Sequence, residues 1–219
     1  MTSRRFEIMI IILTILPFIY LAFIYAGLPD QVPMHFDLEG NVNRYGHKSE
    51  LWILPAATTG LIYFLLKYLP AIDPKKQIEK MGSVWIKLRL GFAAAMCIIA
   101  VFGIYYIDLK AAGDTISIGI QWIYAAVGLL FLILGNYLPS IKSNYFVGIR
   151  TPWTLENDQV WRATHQLGGY LFMAAGALII ISALTLTDQW TFYILLGTTI
   201  VITLTSFIYS YTEFKKITS

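Results

Sequence analysis

Six stretches of the chain are apolar over about the length needed to cross a bilayer, ~20 residues in a helix. They run over residues 7–27, 51–70, 89–108, 118–138, 168–187 and 190–211. Apolar residues crowd all sides of these segments, so each predicts a helix buried in lipid or protein rather than a surface helix with one wet face. Only Asp188 and Gln189 separate the last two, which predicts a tight helical hairpin. The fold class expected is all-α: a polytopic membrane bundle of six transmembrane helices. Its organisation reads as residues 1–70 (two helices and a structured loop, 28–50), 71–117 (a basic loop, the third helix and a short loop), and 118–219 (three helices with a long loop, 139–167).

Composition agrees with this pattern. The chain is 57% hydrophobic and 13% charged, with a mean hydropathy of +0.64, against roughly 25% charged residues in soluble domains. Arg4 and Arg5 precede the first apolar run, as in a signal peptide. The run is longer than an h-region, and no small-residue cleavage site follows, so a retained first helix is expected. The single cysteine, Cys97, lies in an apolar run and reads as a buried, inert residue.

Charge gives the orientation. With the N-terminus inside, thirteen of the sixteen lysines and arginines fall on the inner side; only Arg44, Lys48 and Lys110 fall outside. Inner loops of membrane proteins concentrate Lys and Arg, so both termini are expected in the cytoplasm of a bacterial cell membrane. The same rule explains the basic inner loops without nucleic acid. Glu7, Lys67, Arg89 and Asp108 lie near span ends, and no ionisable residue lies mid-span. Ion-coupled transporters place such residues at the midplane. Thr58-Thr59-Gly60 and Thr198-Thr199 read as close-packing positions.

Two loops hold the unusual residues. In the outer loop, Leu28 to Glu50, Pro29, Pro33, Gly40 and Gly46 mark turns, and Val32, Met34 and Phe36 alternate with polar residues as in a short strand. His35, Asp37, Glu39, His47 and Glu50 are weak metal candidates, because their spacing matches no metal-binding signature. The inner loop, Pro139 to Leu167, holds Trp153 and Trp161. Pro152 biases Thr151 away from helix. Thr154 then caps a helix through Gln166, with Glu156 and Asp158 in its first turn and Arg162 and His165 near its end. Val160, Ala163, Thr164 and Leu167 share one face, as in an amphipathic helix lying on the inner membrane surface or packing under the bundle. Arg150 reads first as a structural arginine; an ion pair with Glu156, a lipid phosphate or a partner protein are the contacts open to it.

These loops also carry a resemblance. Leu28-Pro29, Pro33-x-His35-Phe36, Gly40 and Gly46-x-Lys48 resemble the outer-loop signature of a family of bacterial membrane proteins. Asn136, Leu138-Pro139, Lys142, Asn144, Gly148-Ile149-Arg150-Thr151-Pro152-Trp153-Thr154, Trp161 and His165 are similar to the core segment of the SdpI family, immunity proteins against a secreted peptide toxin. The resemblance implies a non-enzymatic membrane protein without a cofactor. The toxin would arrive on the outer side at Pro33, His35, Phe36, Gly40 and Lys48. A cytosolic transcriptional repressor would be held at the membrane by the inner loop, at Asn136, Lys142, Asn144, Arg150, Thr151, Pro152, Trp153, Glu156, Trp161 and His165.

Two other functions compete: a small transporter or exporter of a toxic amphiphile, and a membrane metal hydrolase using His35, Asp37, His47 and Glu50. There is no G-x-S-x-G elbow or phosphate-binding glycine loop. The orientation is testable in a Cys97→Ala background. A cysteine at Asn43 is expected to react with an impermeant maleimide in intact cells, and one at Lys215 only after permeabilisation. The opposite pattern would invert the topology.

Overall fold

The computed structural model describes residues 3–37, 41–113 and 120–218. Among the described residues, six helices are long and apolar enough to cross a membrane. In chain order the elements are α1 (Ser3–Ile24), the strands β1 (Gln31–Phe36) and β2 (Val42–His47), and α2 (Lys48–Ile72). Then come α3 (Ser83–Ala111), α4 (Ile120–Tyr137), the short α5 (Pro152–Glu156), α6 (Asp158–Thr185) and α7 (Asp188–Thr218). The chain is a polytopic helical bundle, as its apolar pattern predicts. An even number of spans places both ends on one face, called here the terminal face, and the β-hairpin on the other.

Two sub-bundles share the interior. In the first, α1 packs against α3, with α2 beside both; in the second, α4 and α6 pack closely and α7 lies along α6. Contact between α3 and α4 joins them. Cys97 of α3 is buried and unpaired, as its apolar context predicts.

The α4–α6 contact is made by backbone. A β-carbon at Gly135 would lie 2.7 Å from the carbonyl oxygen of Gly169, and one at Gly128 would lie 2.8 Å from that of Gly176. The reverse approaches are equally close, 2.9 Å from Gly169 to the Gly135 oxygen and 2.6 Å from Gly176 to the Gly128 oxygen. Both helices carry their glycines seven residues apart, so two matched notches bring the axes together. In lipid, where water drives no association of helices, such close packing is a main source of attraction.

Proline reshapes α2. Pro55 has no N–H to offer the preceding turn, and the helix continues as a wider π-helical segment over Ala56–Leu61 before regaining regular winding. Within it the Thr59 hydroxyl donates to the Thr14 carbonyl of α1 at 3.0 Å and to the Pro55 carbonyl at 2.9 Å. Thr59 therefore packs helices together, as expected. Thr198 and Thr199 instead bond carbonyls of their own helix.

Helix ends differ from the expected ones in informative places. α3 begins at Ser83, so Arg89 lies inside the helix and is only 8% exposed. Its guanidinium grips the Glu7 carboxylate of α1 with two bonds of 2.9 and 3.1 Å. The Tyr63 hydroxyl of α2 donates to the same carboxylate at 3.3 Å and accepts from Lys67 at 3.0 Å. The link between α6 and α7 is Leu186-Thr187, because Asp188 opens α7, where the exposed amides of a helix start favour an anion.

The glycine notches predict a graded response. Gly135→Leu meets backbone atoms and is expected to cost about 3 kcal/mol or more, seen as lost membrane abundance and a lower melting temperature in detergent. Gly197 faces open space, so Gly197→Ala is expected to leave both unchanged or improved.

Candidate functional site

Each face of the bundle carries one folded loop. On the hairpin face, β1 and β2 pair antiparallel, with Gln31 opposite His47, Pro33 opposite Tyr45, and Phe36 opposite Val42. Val32 is fully buried among Leu21, Leu28, Leu51 and Ile104, Met34 packs on the same cluster, and Phe36 meets the edge of Tyr106 at 4.9 Å. The alternation in the sequence therefore marks the face turned to the helices.

The base of the hairpin is pinned. Lys48 donates to the Leu28 carbonyl at 3.1 Å, pairs with Asp30 at 3.2 Å and lies over the Tyr25 ring. His47 caps the start of α2: its Nδ1 accepts from the Ser49 amide, and Glu50 accepts the His47 amide in return. Glu50 also pairs with Arg44 at 3.1 Å. A β-carbon on Gly46 would strike that Glu50 carboxylate and Met34, so the close approach requires glycine.

The expected outer-side residues thus divide. Pro33 is buried, Phe36 faces the bundle and Lys48 fastens the loop; His35 faces out, its Nδ1 2.7 Å from Asn43 Oδ1. Glu39 and Gly40 lie outside the described residues. Asn43, Arg44 and Tyr45 share the exposed surface with His35, and Tyr45 is 61% exposed. Reading the sequence misses these three, which the pairing of β2 places beside β1. The four of the five metal candidates that are described have other bonds: His47 and Glu50 cap α2, His35 meets Asn43, and Asp37 accepts from the Asn41 backbone and side chain. Among the described residues, no three His, Cys, Asp or Glu side chains gather as a metal site would require.

On the terminal face, the chain between α4 and α6 folds into a compact cap. Asn144, fully buried, organises its turn. Its Oδ1 accepts from the Phe146 and Val147 amides, both at 2.7 Å, and its Nδ2 donates to the Lys142 and Val147 carbonyls at 2.8 and 3.0 Å. Both ends of the side chain are satisfied inside one turn.

Trp161, in the second turn of α6, donates through Nε1 to the Ile141 carbonyl at 2.7 Å. His165 lies one turn further, stacked on Trp161 with ring centroids 4.0 Å apart. Its Nδ1 is 2.8 Å from the Trp161 carbonyl, and its Nε2 accepts the Ile149 amide at 3.1 Å. A carbonyl only accepts and an amide N–H only donates, so the ring is neutral with its proton on Nδ1. Both nitrogens are committed, and His165 is a structural crosslink. Gly148, at φ +117°, passes so close that a β-carbon there would sit on His165 Nε2.

The capping of the helices differs from the sequence expectation. Thr151, extended before Pro152 as predicted, is the N-cap of α5: its Oγ1 accepts from the Thr154 amide at 3.2 Å. It also donates to Ser210 Oγ of α7 at 3.0 Å. Thr154 lies inside α5 and donates to the Ile149 carbonyl. Asn157 then caps α6, accepting from the amides of Gln159 and Val160. No separate surface helix ends at Gln166; α6 runs unbroken from Asp158 to Thr185. Its first turns bury Val160, Trp161, Thr164 and His165 against the cap. Trp153 packs on Phe207 and Tyr211 of α7, each ring 5.0 Å away.

Arg150 is exposed. It donates to the Tyr145 carbonyl at 2.7 Å and makes no ion pair with Glu156, which is also exposed. Asn136 is exposed at the end of α4, and the Lys142 ammonium reaches the Lys80 carbonyl at 3.1 Å. Reading the sequence also misses the loop between α2 and α3 as part of this cap. There the buried Asp73 accepts from the amides of Lys75, Gln77 and Ile78. Lys75 donates to Ser143 Oγ at 3.1 Å and lies over the Tyr145 ring. Ile78, Met81, Trp85 and Leu88 share one apolar core with Leu138, Ile141 and Trp161.

These features define a multi-pass helical membrane protein with a folded hairpin at one face and a folded cap at the other. Residues 140–210, which hold most of the cap, match the SdpI/YfhL protein family, and residues 12–59, which hold the hairpin, match a domain of unknown function, DUF1648. The chain is 23% identical over 212 residues to the immunity protein SdpI of Bacillus subtilis (strain 168), covering 96% of this chain and 97% of that protein. No solved structure matches. The resemblance to the SdpI family read from the sequence holds, and the chain is a multi-pass bacterial membrane protein.

The cap predicts two contrasting variants. Asn144→Ala removes four buried hydrogen bonds and is expected to cost about 2–4 kcal/mol. Arg150→Ala removes one exposed bond and is expected to change stability by about 0.5 kcal/mol or less. Thermal melts followed by circular dichroism in detergent distinguish them.

Proposed function

We propose that this chain is a non-enzymatic immunity protein, protecting the cell that carries it from a secreted peptide toxin. The observation that carries this reading is the match to an immunity protein along nearly the whole length of both chains. The charge asymmetry of the loops supports an orientation with the hairpin outside and the cap inside. A toxin then meets the outward surface formed by His35, Asn43, Arg44 and Tyr45. That surface is backed by a buried strand face, so it is presented rigidly and at little entropic cost.

The cap supports the second half of the reading, a cytosolic transcriptional repressor held at the membrane. Tyr145 and Phe146 are 46% and 36% exposed beside Arg150. Aromatic and arginine side chains together are typical anchors of protein interfaces. Passing a signal from toxin to repressor requires two arrangements of the bundle with different affinities for the two partners.

Survival of a toxin-sensitive strain tests the proposal. Wild-type protein is expected to raise survival under purified toxin. His35→Ala/Tyr45→Ala, which leaves the inward face of the hairpin intact, is expected to lose that protection at equal membrane abundance. Arg150→Ala separates the halves: retained protection with the repressor released places this residue in signalling alone. Absence of protection by the wild type, in a strain that the Bacillus subtilis protein rescues, would overturn the immunity reading.

A further inference from the structure

The terminal face holds a concavity that the cap's folding does not use. A cleft of about 540 Å³ lies where the cap meets the ends of α4 and α6, and Lys75, Lys142 and Arg162 line it with a single carboxylate, Asp158. None of these four residues belongs to an ion pair among the described residues. Lys75 and Lys142 are held by neutral acceptors, a serine hydroxyl and backbone carbonyls. These acceptors orient the ammonium groups and leave their charge uncompensated.

The cleft opens into a second groove. Pro139 and Arg162 border both, and the second, about 310 Å³, continues between α4 and α6 past Gly135, Gly169, Tyr170 and Met173. Tyr170 and Met173 are 66% and 43% exposed on a membrane-spanning helix, so this side faces lipid. The combined shape is a cationic bowl at the end of the spans with a groove leading from it along the helices, polar near the bowl at Asn136 and Gln166 and lined further on by Tyr170 and Met173.

We propose that this is a binding site for an anionic phospholipid. The phosphate and acidic headgroup lie against Lys75, Lys142 and Arg162, with Asn136 and Gln166 beside the glycerol region, and an acyl chain runs over Tyr170 and Met173. Basic pockets between transmembrane helices recognise acidic headgroups by this chemistry. A free phosphate ion satisfies the bowl but leaves the groove empty; a phospholipid fills both.

Native mass spectrometry of the full-length protein, released from mixed micelles with equal phosphatidylglycerol and phosphatidylcholine, reads the site directly. Wild-type protein is expected to retain phosphatidylglycerol about ten- to thirtyfold over phosphatidylcholine, as the cleft's net charge of two, three cations less the Asp158 carboxylate, predicts. Lys142→Gln/Arg162→Gln, both exposed positions, is expected to abolish the preference with an unchanged melting temperature. Arg5→Gln/Lys215→Gln, the same loss of charge elsewhere on that face, is expected to retain it. Equal retention of the two lipids by the wild type would overturn the proposal. So would an equal loss of preference in both double variants, which marks general surface charge. Binding of inorganic phosphate without any lipid preference would overturn the lipid assignment and leave a soluble anion site.

Discussion

The closest constraint in this molecule is the contact of α4 and α6, where the backbone of one helix meets the backbone of the other through four glycines. Everything on the terminal face follows from that distance. The two helices end side by side, so the chain between them must fold back over their ends rather than span a gap. Leu138 and Pro139 settle directly onto Gly168 and Gly169, and no room remains there for a larger side chain. The cap is consequently a compact turn built on Asn144, closed by Trp161 and His165. A wider crossing would separate Ile141 and Ile149 from the indole and imidazole that hold them.

The sequence makes some of this legible and hides the rest for identifiable reasons. Long apolar runs report spans well, because lipid imposes a length and excludes charge. Alternation at Val32, Met34 and Phe36 reports a strand for the same kind of reason, one face being buried. Helix starts in the inner loop are less readable. Thr151, Thr154 and Asn157 are all good caps within seven residues, and what selects Thr151 and Asn157 is tertiary: Ser210 on α7 bonds the first, and the α6 axis fixed by the glycines sets the second. An apolar face at Val160 and Thr164 looks the same in a surface helix and in the opening turns of a span, so periodicity did not separate them. Lys48 and Asn144 read as contact residues of a site but are internal fastenings, and their polar partners are mostly backbone atoms that carry no residue-specific signal. Lys75 meets Ser143 across 68 residues of chain, a pairing without any local trace.

The division of labour between the two loops bears on function. In both, the residues that carry the family resemblance are largely the ones that hold the loop in shape, whereas Tyr45 on the hairpin and Tyr145 and Phe146 on the cap are exposed on top of that frame. α3 connects the frames: its far end packs under the hairpin at Ile104, and its near end enters the cap core at Trp85 and Leu88.

The pair formed by Glu7 and Arg89 has a consequence for biosynthesis. An arginine this buried in a span is costly unless its counter-ion is in place, and here the carboxylate lies 82 residues earlier in the chain. Synthesis therefore delivers the anion to the membrane before the cation that needs it, with Tyr63 of the intervening helix supplying a further bond. The Glu7 carboxylate meets Tyr63 of the second helix before Arg89 of the third, and the ion pair then joins the first three spans. The same closure brings Leu21 and Ile104 together around Val32 at the opposite face, so the order of translation sets when the hairpin acquires its seat.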